Sequence, residues 1–208
     1  MLRKLPLKGR LVTGDALYCQ KELCRQIVGA GGDYLFIVKA NQRRLYRDIE
    51  FFFARPPFGE QLVLAEQKGR HGDRQERRRL VASPGLAHYL KWPGAGQMLL
   101  IERTTVRKGK TESEVRYAVT SQTGAVGPAR LLRQVRGHWG IENRLHYVRD
   151  VSFGEDASQL RKGASPEVMA GLRNAVIGIL RGAGWTNIAA ALRHYAWRQD
   201  AALALLGL

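Results

Sequence analysis

Acidic residues are the first shortage in this sequence. Its 208 residues carry 18 Asp and Glu against 34 Lys and Arg, a formal net charge of +16 with histidine neutral. An excess of this size is informative about partners rather than fold, and the partners it suits are nucleic acid or an anionic membrane surface. Long apolar runs are also missing: no uncharged stretch approaches the roughly 18 to 20 residues needed to span a bilayer, so no membrane partner is expected. The opening Met1–Lys8 has positive charge but no apolar segment behind it, unlike a signal peptide. Cysteine is scarce. Cys19 and Cys24 are the only two, five apart in what reads as one helix, where neither a disulfide framework nor a four-ligand zinc site fits. A reducing cytoplasm is the expected compartment. Repeats and low-complexity segments are absent, and 45% hydrophobic residues is too many for a disordered basic tail. The charge therefore sits on something folded.

The positive excess is spread along the whole chain, with local clusters at Arg43-Arg44 with Arg47, at Arg77-Arg78-Arg79, and at Arg107-Lys108 with Lys110. Any one of these reads equally as a solvated face, but three on this background favour phosphate contacts. Along the chain, Arg10–Thr13 reads as a short strand running into Gly14-Asp15-Ala16, and an aspartate at the carboxyl end of a strand is where α/β proteins collect active sites. Ala16–Ala30 has helical spacing and stops at Gly31-Gly32. The nearly all-apolar Tyr34–Val38 predicts a buried strand, and Lys39-Ala40-Asn41-Gln42 leads into a second helix over Gln42–Phe53. That alternation predicts a βαβ unit with parallel strands. From Gln61 the texture turns to short strands, at Gln61–Gln67, Arg77–Ala82, Gln97–Thr105 and Glu114–Thr120, separated by Gly, Pro and charged turns. Helices return after Gly127-Pro128, at Ser165-Pro166-Glu167 and near Asn187–Arg198. The expected divisions are an α/β core over 1–60, a β-rich insertion over 61–126 and a helical part over 127–208.

The most informative segment runs from Val135 to Arg149. At spacings of three or four, Val135, His138, Glu142, His146 or Leu145, and Arg149 share one stripe of a helix. A carboxylate flanked by histidines and an arginine suits three arrangements. It can be an amphipathic helix with Glu142 paired at the surface. It can be a zinc site from His138, Glu142 and His146, although the metalloprotease pattern needs its histidines four apart and these are eight apart. Or Glu142 and Asp15 can be hard oxygen ligands for Mg²⁺ beside positive groups that grip phosphate.

On several separated motifs the chain resembles the bacterial insertion-sequence transposases with an RNase H-like fold and an Asp, Asp, Glu triad, in particular the H-repeat-associated group. The motifs are Val12-Thr13-Gly14-Asp15-Ala16-Leu17, Gly31-Gly32-Asp33-Tyr34 with Lys39-Ala40-Asn41-Gln42, His138-Trp139-Gly140-Ile141-Glu142-Asn143, and Phe153-Gly154-Glu155-Asp156-Ala157-Ser158 with Arg161, Pro166-Glu167 and Leu172-Arg173-Asn174. The resemblance implies a partial RNase H-like catalytic core with a β-rich insertion and a C-terminal helical region. It implies Asp15 as the second aspartate of the triad and Glu142 as the glutamate, both catalytic and both ligands for Mg²⁺ or Mn²⁺. Where related transposases have a Tyr, Arg, Glu, Lys signature, this chain has Val135, His138, Glu142 and Arg149. Lys39, His138 and Arg149 are the expected phosphate contacts, with Arg77, Arg78 and Arg79 as weaker DNA-backbone candidates. Only fourteen residues precede Asp15, none acidic, so the first aspartate and the strands that carry it are expected to lie outside this chain. The expectation is then the C-terminal part of a transposase, inactive alone. The other reading is a catalytically silent, basic DNA-binding remnant that interferes with an intact transposase. Expected partners are double-stranded DNA at element ends and target, and possible self-association or an intact transposase, in a bacterial cytoplasm close to the nucleoid. Glu155 or Asp156 can be a substitute ligand or a loop pairing with Arg161 or Lys162. With the front of the sheet gone, the Val12 and Phe36 strands are both expected to be short of partners.

Overall fold

The computed structural model describes residues 5–141 and 145–208. The chain divides into two compact units, one ending at His138 and the other beginning at Trp139. The first is mixed α/β. Strand β1 (Leu11–Gly14) is followed by a 3₁₀ turn at Ala16–Tyr18, helix α1 (Lys21–Gly29), strand β2 (Asp33–Val38), a second 3₁₀ turn at Ala40–Gln42, and helix α2 (Arg43–Ala54). Four longer strands come next, β3 (Val63–His71), β4 (Arg74–Ser83), β5 (Gln97–Arg107) and β6 (Lys110–Thr120), and then helix α3 (Pro128–Ile141).

All six strands form one sheet in the order β1-β2-β6-β5-β4-β3. β1 and β2 are parallel, joined through α1, as the βαβ pattern predicts. β2 then pairs antiparallel with β6, and successive antiparallel pairs complete the sheet. The strands of 61–126, read in the sequence as an insertion, therefore extend the sheet that β1 and β2 begin. The Phe36 strand does not lack partners: β2 is flanked on both sides, and of the two strands only β1 lies at an edge, the other edge of the sheet being β3. The near-continuous apolar run in β2 follows from this, because both of its faces are covered.

On one face Tyr34, Phe36, Val38, Met98 and Val119 pack against Cys24 and Ile27 of α1 and Leu45 and Ile49 of α2. On the other, Leu35, Ile37, Leu80, Leu99 and Ala118 meet Leu131, Leu132 and Val135 of α3. Each such side chain contributes about 1.5–3 kcal/mol by leaving water. The start of α3 is fixed by the buried Gln97 amide, which donates to the carbonyls of Gln122 (3.1 Å), Thr123 (2.6 Å) and Val126 (3.3 Å). From α3, His138 reaches Thr13 on β1 while Arg136 hydrogen-bonds Gln67 on β3, so the sheet curls around the helix. Cys19 and Cys24 are free and buried. Cys19 lies in the turn before α1 rather than inside one helix with Cys24. Burial pushes the Cys19 thiol up to about 12 and that of Cys24 to about 11, so both act as small core side chains.

The second unit has a π-helical stretch (Val148–Ser152), α4 (Ser165–Gly182), α5 (Ile188–Ala196) and α6 (Gln199–Leu206). Ile177, Leu180, Ile188 and Ala191 form its core, with Leu145, Val148 and Phe153 packed against them. Asn187 caps α5, accepting from the Ala190 N–H at 3.0 Å. No helix of the described residues is long and apolar enough to cross a membrane.

Candidate active site

Parallel pairing of β1 with β2 brings their carboxyl ends side by side, so the residue after each strand falls on the same rim. Those residues are Asp15 and Lys39, and the Lys39 Nζ lies 3.6 Å from the Asp15 Oδ1. Both side chains are more than half exposed, at 58% and 59%, so the pair stabilises little and leaves the carboxylate reachable from solvent. The Asp15 carboxyl is held below the usual carboxylate range. The dipole of the adjacent Ala16 N–H contributes most, partial burial opposes it, and the charges of Lys39 and His138 add to the lowering. At neutral pH it is therefore fully ionised.

The rim is set by contacts between the two motifs. Asn41 Nδ2 donates to the Ala16 carbonyl at 2.7 Å, and Gln42 Nε2 donates to the Cys19 carbonyl at 2.9 Å. The Lys39-Ala40-Asn41-Gln42 segment thus supplies a cation to Asp15 and clamps the turn that carries it. Gly14 is needed by close packing: a Cβ there would come within 2.9 Å of Phe36 Cε1 and 3.0 Å of Tyr18 Cβ. Asn41→Ala should cost about 1 kcal/mol and speed amide hydrogen exchange at residues 16–19, with β4 and β5 unchanged.

His138 lies on the stripe that the spacing predicts. Val135 is buried under the sheet, and one turn later His138 Nδ1 is 3.2 Å from Thr13 Oγ1, two residues before Asp15 on the same face of β1. Thr13 was not singled out in the sequence, although its period-two relation to Asp15 was available. Glu142 lies outside the described residues. Arg149 belongs to the second unit, where it forms a bidentate pair with Glu155, whose carboxylate also faces Arg173 at 3.9 Å. Glu155 therefore joins Arg149 and Arg173, not Arg161 or Lys162. Among the described residues no three His, Cys, Asp or Glu side chains gather as metal ligands.

Arg77–Arg79 do not form one patch. Strand alternation turns Arg77 and Arg79 to the α1–α2 side, where they pair with Glu66 (2.6 Å) and Glu102 (2.9 Å), while Arg78 pairs with Glu76 (2.8 Å) on the side of α3.

Pairing with Arg149, ahead of a burial cost, holds the Glu155 carboxyl below 4.5, and Arg173 and His146 add to the lowering. A carboxyl lowered by folding stabilises above its unfolded value, and that contribution is lost as the pH falls through the folded one. Thermal unfolding followed against pH should show an acid limb below about 4.5, and Glu155→Gln should flatten it while lowering stability at pH 7.

Comparison with known proteins bears on the family of the chain. Residues 1–179 match the transposase DDE domain. The chain belongs to that family. It is 31% identical over 191 residues to the "H repeat-associated putative transposase YhhI" of Escherichia coli strain K12, covering 86% of this chain and 50% of that protein. It is 30% identical over 189 residues to the "Putative transposase YncI" of Escherichia coli O157:H7, covering 87% and 48%. The "Putative protein YbfL" of strain K12 matches at 31%, again over half its length. The chain thus spans about half the length of the curated relatives it matches. No solved structure matches. The chain has the mixed α/β architecture described above, and transposase DDE domains generally use divalent metals.

Proposed function

We propose that this chain is the catalytic part of a DNA transposase that cleaves DNA strands at the ends of an insertion sequence and joins them to a target. The observation that carries the reading is an ionised, solvent-reachable aspartate at the carboxyl end of β1, with a lysine and a histidine beside it, in a chain of the DDE family. β1, α1 and β2 would be part of an RNase H-like core, residues 61–126 its β-rich insertion, and residues 127–208 the helical part that brings the glutamate.

Asp15 is a hard oxygen ligand in the charge state that Mg²⁺ or Mn²⁺ requires, and Glu142 is the second ligand the family pattern supplies. Such an ion, held by Asp15 and Glu142, would activate an attacking oxygen and stabilise a leaving one. The chain's own groups do the rest. Lys39 offsets phosphate charge next to Asp15, His138 is oriented by Thr13, and Arg149 is kept charged and aligned by Glu155. The substrate is double-stranded DNA in the bacterial cytoplasm, at the nucleoid. The β1 edge is where another copy, or an intact transposase, would pair.

Nicking of supercoiled plasmid by the purified chain in Mg²⁺ or Mn²⁺ tests this. Metal-dependent nicking that is lost in Asp15→Ala and in Glu142→Ala supports the enzyme. Salt-sensitive DNA binding with no nicking overturns it for this polypeptide and leaves a silent DNA-binding protein.

A further inference from the structure

Beyond the rim, β3–β4 and β5–β6 run on as two long hairpins whose turns lie at one end of the sheet. On the face shared with Thr13 and Leu35, the register sets Arg74, Arg107 and Lys110 abreast across three neighbouring strands. Like charges directly opposite one another are destabilising in a sheet; Asp73 meets Arg107 at 3.5 Å, which leaves Lys110 as the cation of the row without an ion pair among the described residues. Two residues inward on β4 is Glu76, and Arg74, Arg78 and Arg103 all converge on its one carboxylate. Burial, ahead of the opposing pull of Glu76, lowers the Arg78 guanidinium, and the nearby Arg136, Arg103 and Arg74 lower it further. Arg74 and Arg103 also border a concavity of about 820 Å³, in which they, Arg107, Lys108 and Lys110 stand against Glu112 and Glu114.

The turn between β5 and β6 supplies an independent observation. Lys108 and Gly109 both have positive φ, +48° and +75°, and Lys108 is the one non-glycine among the described residues that does. Two-residue hairpin turns of this kind favour Asn, Asp or Gly at that first position. A side chain with a Cβ costs about 1–2 kcal/mol there, so Lys108 stands against the local preference. Neither Lys108 nor Lys110 has a carboxylate within ion-pair distance among the described residues.

We infer that the β4–β5–β6 hairpin end, through Arg74, Arg107, Lys108 and Lys110, is a binding site for the phosphate backbone of double-stranded DNA. The site rests on the transposase reading and deepens it, by placing a second DNA contact on the same sheet face as Asp15. Strands about 4.8 Å apart spread the three abreast cations over about 10 Å, which suits a phosphate ladder rather than a single small anion. Such contacts are indifferent to base sequence and act through counterion release.

The test is the affinity of the full chain for a 30-base-pair duplex, measured by fluorescence anisotropy from low to moderate salt. Wild type is compared with Lys108→Gly/Lys110→Gln and with Arg55→Gln/Lys91→Gln, an equal loss of charge at exposed residues near the far end of α2, which packs against the opposite face. Lys108→Gly relieves the left-handed turn, so the thermal midpoint of the first double variant should not fall. The expected result is binding about tenfold weaker at low salt, with the slope of log K against log salt shallower by about 2, one for each lost phosphate contact, and near-wild-type behaviour of Arg55→Gln/Lys91→Gln. Wild-type affinity and slope in Lys108→Gly/Lys110→Gln would overturn the hairpin site and leave the transposase reading standing. Equal losses in both variants would also overturn it, assigning the effect to net charge alone. A wild-type chain that binds no duplex would overturn the hairpin site and the DNA reading together.

Discussion

Where the chain nicks DNA with Mg²⁺ or Mn²⁺, Asp15→Asn should abolish that nicking while leaving the fold intact. The substitution keeps the shape of the side chain and removes its charge, and Asp15 is 58% exposed with Lys39 as its one ion-pair partner among the described residues, so the thermal midpoint should move by no more than a degree or two. Activity has no such tolerance. Even outer-shell partners of metal ligands typically command about 10–100-fold, so the loss for a direct ligand should exceed about 100-fold. Plasmid nicking and thermal unfolding on the same preparation separate the two effects. Wild-type nicking in Asp15→Asn would remove this aspartate from the chemistry.

The largest effect on stability should come from Phe36→Ala, at about 3–5 kcal/mol. Phe36 is fully buried in β2, stacks on Tyr34 with ring centroids 5.4 Å apart, and lies against Gly14 at the end of β1. No neighbouring chain end can swing in to fill the space, because β2 is held between β1 and β6. Against a typical domain stability of about 5–15 kcal/mol, such a loss is visible as a large fall in the urea midpoint. The same substitution removes the wall behind Gly14 and Tyr18, so at temperatures where the variant is still folded its nicking rate should fall as well. A loss under about 1 kcal/mol would show that the ring does not bear on the core as described.

Much of the fold could be read in the residues. The apolar run of Tyr34–Val38 marked a buried strand, and the helical stripe from Val135 placed His138 on the side of α3 that meets β1. What escaped was settled by contacts far apart in the chain. The helix expected from Ala16 is broken near Cys19 although no Gly or Pro marks the place. The break is held by Gln42, more than twenty residues later, donating to the Cys19 carbonyl. Asn41 and Gln42 were visible as a motif, but their clamping role depends on β1 and β2 lying side by side. The Arg77–Arg79 run looked like one positive patch because it was read as a line. The two-residue period of a strand, itself evident in the sequence, divides it between two faces. The pairing of β2 with β6, which joins the βαβ unit to the hairpins, has no local signature at all.

That joint sets a length. Val38, next to the lysine at the rim, is opposite Tyr117, and β6 continues from there to Lys110 at the hairpin end. At about 3.3 Å per residue the seven residue steps from Tyr117 to Lys110 project about 23 Å past the rim, close to seven base-pair steps at about 3.4 Å each. On the inferred contacts the sheet would act as a ruler as well as a scaffold: a duplex held at its far end would have its strand presented to Asp15 at a spacing counted in residues of β5 and β6. Lengthening or shortening that hairpin in steps of two residues, which keeps every side chain on its own face, would change the count without changing the chemistry.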